Sequence, residues 1–154
     1  MATTYRPARR SLLATATTAA LAAVAVRAHA QGSAAPIAQP REATPAAFAA
    51  HAKEMRRLAV ERGDQAYGAV VVRDGTIVGE GVSAVVTDRD PTAHAEMQAI
   101  RDAARRLRTN DLSGCEMYGT SRACPMCEAA AYWARIRRLH SGDPPSDDGA
   151  PRLR

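Results

Sequence analysis

Two short stretches of the chain carry side chains that could do chemistry together: Thr92-Ala93-His94-Ala95-Glu96 and Cys124-Pro125-Met126-Cys127. Two cysteines three apart at a helix start share one face, where orphan amide groups and the positive end of the helix dipole favour thiolates. Zinc takes four tetrahedral ligands from sulfur and nitrogen. Cys124, Cys127 and His94 would fill three positions and leave the fourth for water, the mark of a catalytic rather than a structural site. Two thiolates already cancel the 2+ charge, so water there is acidified less than at histidine-only sites, where its pKa falls to about 7. A carboxylate is then needed to take the proton and return it to the leaving group, a role worth typically about 10² to 10⁴ in rate. Glu96, placed just after His94, meets that need. H-x-E followed by a C-x-x-C pair is the pattern of hydrolytic deamination.

Taken singly, each piece has a plainer reading. His94 and Glu96 alone fit a helix-surface histidine and a first-turn acid suited to the dipole. Cys124 and Cys127 alone fit an exported thiol-disulfide oxidoreductase, which is built in the same order of strand, loop, C-x-x-C and helix. That alternative leaves His94 and Glu96 without work. A third class is a zinc-stabilised binding module that has lost catalysis. The remaining cysteine, Cys115, reads as a buried, inert thiol at a strand start.

The elements that must position these residues follow from periodicity and punctuation. Thr44-Pro45 pairs a capping residue with proline at the first helical position. Phe48, Ala52, Met55 and Ala59 then recur at helical spacing until Gly63. Tyr67 to Arg73 and Thr76 to Gly81, joined by Asp74-Gly75, predict an antiparallel hairpin. Asp90-Pro91 predicts the start of a second helix ending near Arg108, with Met97, Ile100, Ala104 and Leu107 on one face. Cys115 to Tyr118 reads as a strand, Pro125 to Ile136 as a third helix and Arg137 to His140 as a short strand, with a polar tail from Gly142. Strands alternating with helices after a hairpin predict an α/β layer sandwich with a mixed sheet.

Composition bounds the rest. The chain has 154 residues, 46% of them hydrophobic, with three cysteines, which suits one globular domain and excludes collagenous, disordered and disulfide-rich classes. Its net charge of +5 is concentrated at one end: residues 1–30 hold Arg6, Arg9, Arg10 and Arg27 and no acid, while residues 31–154 are nearly neutral. A nearly neutral body argues against a nucleic-acid partner. Arg9-Arg10 ahead of an Ala/Leu/Val/Thr run to Val26, followed by Ala28-His29-Ala30, resembles a twin-arginine export signal. The run is shorter than the roughly 20 apolar residues that span a bilayer, so a soluble mature protein without a membrane segment is expected. The chain thus divides into an export signal over 1–30, a linker over 31–43 and a catalytic domain over 44–154. The expected location is the periplasm or the extracellular space. An oxidising compartment would threaten a free C-x-x-C pair, and thiolates already bound to zinc are protected.

From about residue 44 to 141 the chain resembles the zinc-dependent cytidine/deoxycytidylate deaminase-like family, and within it the guanine, cytosine and tRNA-adenosine deaminases. The resemblance rests on Tyr67-Gly68-Ala69-Val70, Gly79-Glu80-Gly81, Asp90-Pro91-Thr92-Ala93-His94-Ala95-Glu96 and Cys124-Pro125-Met126-Cys127 running into Ala131-Tyr132-Trp133-Ala134-Arg135-Ile136. It implies a three-layer α/β/α sandwich, one zinc ion on His94, Cys124 and Cys127, Glu96 as proton shuttle, and usually a dimer. The implied substrate is a small aminated heterocycle, guanine-like or cytosine-like. The chain departs from the family pattern at Ala123, where proline is usual, at Ala66-Tyr67, where Pro-Phe is common, and at Ser83, where an asparagine commonly binds substrate. Tyr67, which could stack on a base or donate a phenol hydrogen bond, and Ser83 are the candidate substrate contacts; a strand tyrosine on the sheet face is the plainer reading of Tyr67.

Overall fold

The computed structural model describes residues 35–153. The export signal expected over residues 1–30 lies outside the described residues. Helix α1 spans Pro45–Glu61, capped by the Thr44 hydroxyl, which accepts from the Ala47 amide at 3.2 Å. Strands β1 (Gly68–Arg73) and β2 (Thr76–Val82) form the expected hairpin. Both turn residues have positive φ, 49° at Asp74 and 74° at Gly75, as a two-residue hairpin turn requires. Helix α2 spans Ala95–Leu107, strand β3 Glu116–Gly119, helix α3 Pro125–Trp133, and strand β4 Arg138–Ser141. A fifth strand, β5 (Ser146–Gly149), pairs antiparallel with β4.

The strands form one mixed sheet in the order β2-β1-β3-β4-β5, in which only β3 and β4 are parallel. Side-chain alternation divides the core in two. Ala69, Val71, Met117 and Leu139 face α2 and α3, while Val70, Val72, Ile77 and Tyr118 face Phe48 and Met55 of α1. The result is the expected three-layer sandwich, with α1 on one face and α2 and α3 on the other.

The layer that carries the chemistry is built from small residues. Ala95, Ala99 and Ala103 of α2 are fully buried against β2. They can come so close because β2 offers Gly79 and Gly81: a β-carbon on Gly79 would lie 2.6 Å from the Ala99 carbonyl oxygen, and one on Gly81 would overlap the carbonyl oxygen of Ala95. The first turn of α2 is thus seated on bare β2 backbone. A second tie runs from the Glu80 amide to the buried Asp102 carboxylate at 3.1 Å, which also accepts from the Arg106 Nε at 2.7 Å.

Edge strand β2 is covered by the segment before α1. The Gln39 amide donates to the Ile77 carbonyl at 2.9 Å and accepts from the Ile77 amide at 2.8 Å, while Ile37 packs against the α1-side core. Among the described residues no helix is long and apolar enough to cross a membrane.

Three element boundaries differ from expectation. The second helix begins at Ala95, not Pro91, because Asp90 caps a turn instead: its carboxylate accepts from the Thr92 amide at 2.8 Å and the Thr92 hydroxyl at 2.7 Å. The third helix ends at Trp133, since Arg135 adopts φ 63° and turns the chain so that Ile136 enters the core before β4. The polar tail folds back into β5 despite a Ser-Asp-Asp-Gly sequence with no strand propensity of its own.

Candidate active site

The late start of α2 has a chemical consequence. His94 becomes the N-cap residue, with φ −62° and ψ 153°, and its side chain makes no capping hydrogen bond. Cys124 holds the matching place on α3, with φ −70° and ψ 166°, and its thiol likewise makes no cap. An extended N-cap residue throws its side chain beyond the helix end, so the two helices aim an imidazole and a thiol outward from their N-termini. Pro125 at the first helical position sets the α3 start, and Cys127 follows on the same face.

These three side chains converge. Cys124 Sγ lies 3.7 Å from His94 Nδ1, Cys127 Sγ lies 3.6 Å from the same nitrogen, and the two sulfurs are 3.6 Å apart. A tetrahedral zinc ion, with bonds of about 2.3 Å to sulfur and 2.0–2.1 Å to nitrogen, spaces its ligand atoms about 3.5–3.8 Å apart. All three edges of the triangle fall within that range, whereas a disulfide would bring the sulfurs to about 2.05 Å. Among the described residues this is the one His/Cys/acid group close enough to hold a metal ion.

Glu96 completes the cluster. It sits in the first turn of α2, is only 7% exposed, and has its Oε2 3.7 Å from Cys127 Sγ. Burial pushes its carboxyl above the usual carboxylate range, against the opposing pull of its own backbone amide and of Cys127. Gly119, at the end of β3, lies beside it, where a β-carbon would meet the Ser121 carbonyl oxygen at 2.9 Å.

Cys127 is fully buried, and burial followed by the charge of Glu96 pushes its thiol well above the ordinary cysteine range. A thiol in this setting becomes a thiolate when a cation arrives to neutralise it. The donor set and its spacing therefore fit zinc.

The two expected substrate contacts lie at the start of β1 and the end of β2. Tyr67 precedes β1, is 45% exposed, and lines a cavity of about 580 Å³ with Arg56, Gln65, Thr120 and Ser121. Ser83 follows β2 and is buried, and its hydroxyl donates to Asp64 Oδ1 at 2.8 Å. Ala123, where proline was expected, packs against the α2–α3 core. Cys115 is buried in that same core, and burial pushes its thiol up.

Residues 42–142 match the family described as the cytidine and deoxycytidylate deaminase zinc-binding region. The chain is 51% identical to guanine deaminase of Bacillus subtilis (strain 168) over 73 residues, 47% of this chain and 47% of that protein. The X-ray structure of guanine deaminase from Bacillus subtilis superposes with a TM-score of 0.60 at 41% identity, covering 62% of this chain and 61% of that one. A tRNA-specific adenosine deaminase of Aquifex aeolicus (strain VF5) is 44% identical over 87 residues, 56% of this chain and 57% of that protein. A protein solved in complex with 2,6-diaminopurine superposes with a TM-score of 0.62 at 30% identity, covering 64% of this chain and 56% of that one. The chain spans about half the length of these curated relatives. Because the matched span encloses His94, Glu96, Cys124 and Cys127 in the order and geometry just described, the chain belongs to the cytidine and deoxycytidylate deaminase zinc-binding family.

Proposed function

We propose that the protein is a zinc-dependent hydrolytic deaminase acting on a small nucleobase, nucleoside or related heterocycle, guanine-like or cytosine-like. The observation that carries this reading is the ligand triangle of His94, Cys124 and Cys127 with the buried Glu96 carboxyl at its edge. When bound, zinc supplies the Lewis acidity that makes water a nucleophile at neutral pH. The protein's own part is proton handling. Glu96 takes a proton from the attacking water and delivers it to the departing amine, so that an exocyclic C–NH2 plus water becomes C=O plus ammonia. A carboxyl raised by burial suits this task, since it must hold the proton long enough to pass it on.

Small purines are favoured by the likeness to guanine deaminase of Bacillus subtilis and to a protein that binds 2,6-diaminopurine. The tRNA-specific relatives raise a nucleic-acid substrate as the rival. Against it stands the nearly neutral charge of residues 31–154, where polyanion binding calls for a basic surface. Ammonia release from the zinc-loaded protein, measured with free purines, pyrimidines, their nucleosides and a tRNA, separates these. Turnover of a free base or nucleoside is expected, and turnover of tRNA alone would reject the small-molecule reading.

Export by the twin-arginine route belongs to the same proposal. It draws support from Arg9-Arg10 and from a zinc site that is best loaded in a folded chain. Arg9-Arg10 changed to Lys-Lys should leave the purified protein active and abolish its appearance outside the cytoplasm. Cytoplasmic retention of the unaltered chain would reject export.

A further inference from the structure

Asp64 lies outside the metal cluster, yet it gathers more hydrogen bonds than any carboxylate that neighbours it in the chain. It follows α1, and its own amide donates to the Ala59 carbonyl at 2.9 Å. Its Oδ1 accepts from the Gln65 amide at 2.8 Å and the Ser83 hydroxyl at 2.8 Å. Its Oδ2 accepts from the Val86 amide at 3.0 Å, the Thr87 amide at 2.8 Å and the Thr87 hydroxyl at 3.0 Å. Two donor sets therefore face two oxygens. Only an acceptor-only carboxylate satisfies both, because an asparagine in either orientation turns its NH2 towards donors. Partial burial acts to raise the Asp64 carboxyl, and the donors from Thr87, Gln65 and Ser83 overcome it and hold the group below the usual carboxylate range.

The segment that Asp64 grips leads to the metal. The Ala84 amide donates to the Ala93 carbonyl at 3.0 Å, so residues 84–93 form a loop closed at its base. One end of the base is held by Asp64 through Ser83, Val86 and Thr87. The other end is Ala93, the residue before His94. The same node reaches Tyr67, whose carbonyl accepts from the Ser83 amide at 3.3 Å and whose amide donates to the Gln65 carbonyl at 2.7 Å.

We infer that Asp64 is a positioning residue for the deaminase site, holding the 84–93 loop so that His94 meets Cys124 and Cys127. The inference rests on the zinc reading above. Its test is Asp64→Asn in the full-length zinc-loaded protein, read in two ways that need no substrate. The first is the rate of zinc loss to a chromophoric chelator, expected to rise at least tenfold. The second is the visible spectrum of the cobalt-substituted protein, whose ligand-field bands are expected to change because the imidazole moves while both thiolates stay.

Asp111→Asn supplies the comparison. Asp111 also holds a loop, accepting from the Ser113 amide at 2.9 Å and pairing with Arg135 at 2.9 Å, but among the described residues no hydrogen bond joins it to His94 or to the 84–93 loop. It should cost stability and leave the cobalt spectrum unchanged. Thr87→Val removes a single donor and should shift zinc loss in the same direction by less, which keeps the idea testable if Asp64→Asn folds poorly. Unchanged zinc loss and an unchanged cobalt spectrum in both Asp64→Asn and Thr87→Val would overturn the positioning role. Failure of the unaltered protein to bind zinc would instead overturn the metal reading, and the positioning role with it.

Discussion

Glu96→Gln is expected to reduce ammonia release by about 10² to 10⁴, the range typical for losing a general acid–base, while zinc content and fold persist. The substitution keeps the shape of a side chain that is buried beside Cys127 and Gly119, so packing changes little. An amide can still hydrogen-bond but cannot accept the proton of water and release it to nitrogen. Steady-state turnover, with zinc content determined on the same sample, checks both halves of the expectation. Unchanged turnover would show that another group moves the proton. Loss of zinc alongside activity would show that Glu96 supports the metal site itself.

Cys127→Ser should have an equally large effect by a different route. Cys127 is one of three candidate protein ligands and is fully buried, and its sulfur approaches both His94 Nδ1 and Cys124 Sγ at 3.6 Å. A hydroxyl fits the same space but does not become an anionic ligand near neutral pH. Turnover should fall by more than the ~10–100-fold typical of losing a group that merely supports a ligand, and zinc should be lost on buffer exchange. A lower melting temperature should accompany this, because bound metal stabilises the folded chain in proportion to its affinity. A zinc ion on His94, Cys124 and Cys127 would also join the N-termini of α2 and α3. Cys115→Ala is the matched control. Cys115 is as deeply buried but belongs to the core between β3 and α3, so it should lower stability and leave zinc retention intact.

The convergence of His94, Cys124 and Cys127 is legible in the sequence because these residues sit beside strong local punctuation. Pro125 marks the start of α3 and with it the face shared by Cys124 and Cys127. The Asp74-Gly75 turn marks the hairpin on which α2 is seated. The start of α2 is not legible in the sequence because Asp90-Pro91 carries the same local signals whether it opens a helix or a capped turn, and here the Asp90–Thr92 turn prevails. That four-residue difference places His94 at the N-cap, where its Nδ1 comes within 3.7 Å of both cysteine sulfurs. Strand β5 was hidden because pairing with β4, not propensity, makes it a strand.

Asp64 was hidden for a related reason. In sequence it is one acid in a polar turn after a helix, but four of its five donor groups come from residues 83, 86 and 87, brought to it only by the fold. Gly79 and Gly81 were visible as part of a motif, yet their close contact with Ala95 and Ala99 emerges only once α2 lies across β2. Local spacing thus identifies the groups that react, and long-range packing determines what holds them in place.

Metal content together with zinc-edge X-ray absorption of the purified full-length protein bears most directly on the central claim. The account predicts about one zinc per chain, ligated by two sulfurs and at least one nitrogen, with Cys124 and Cys127 unreactive to thiol reagents until the metal is chelated. A chain purified without zinc that cycles Cys124 and Cys127 between thiol and disulfide would contradict it.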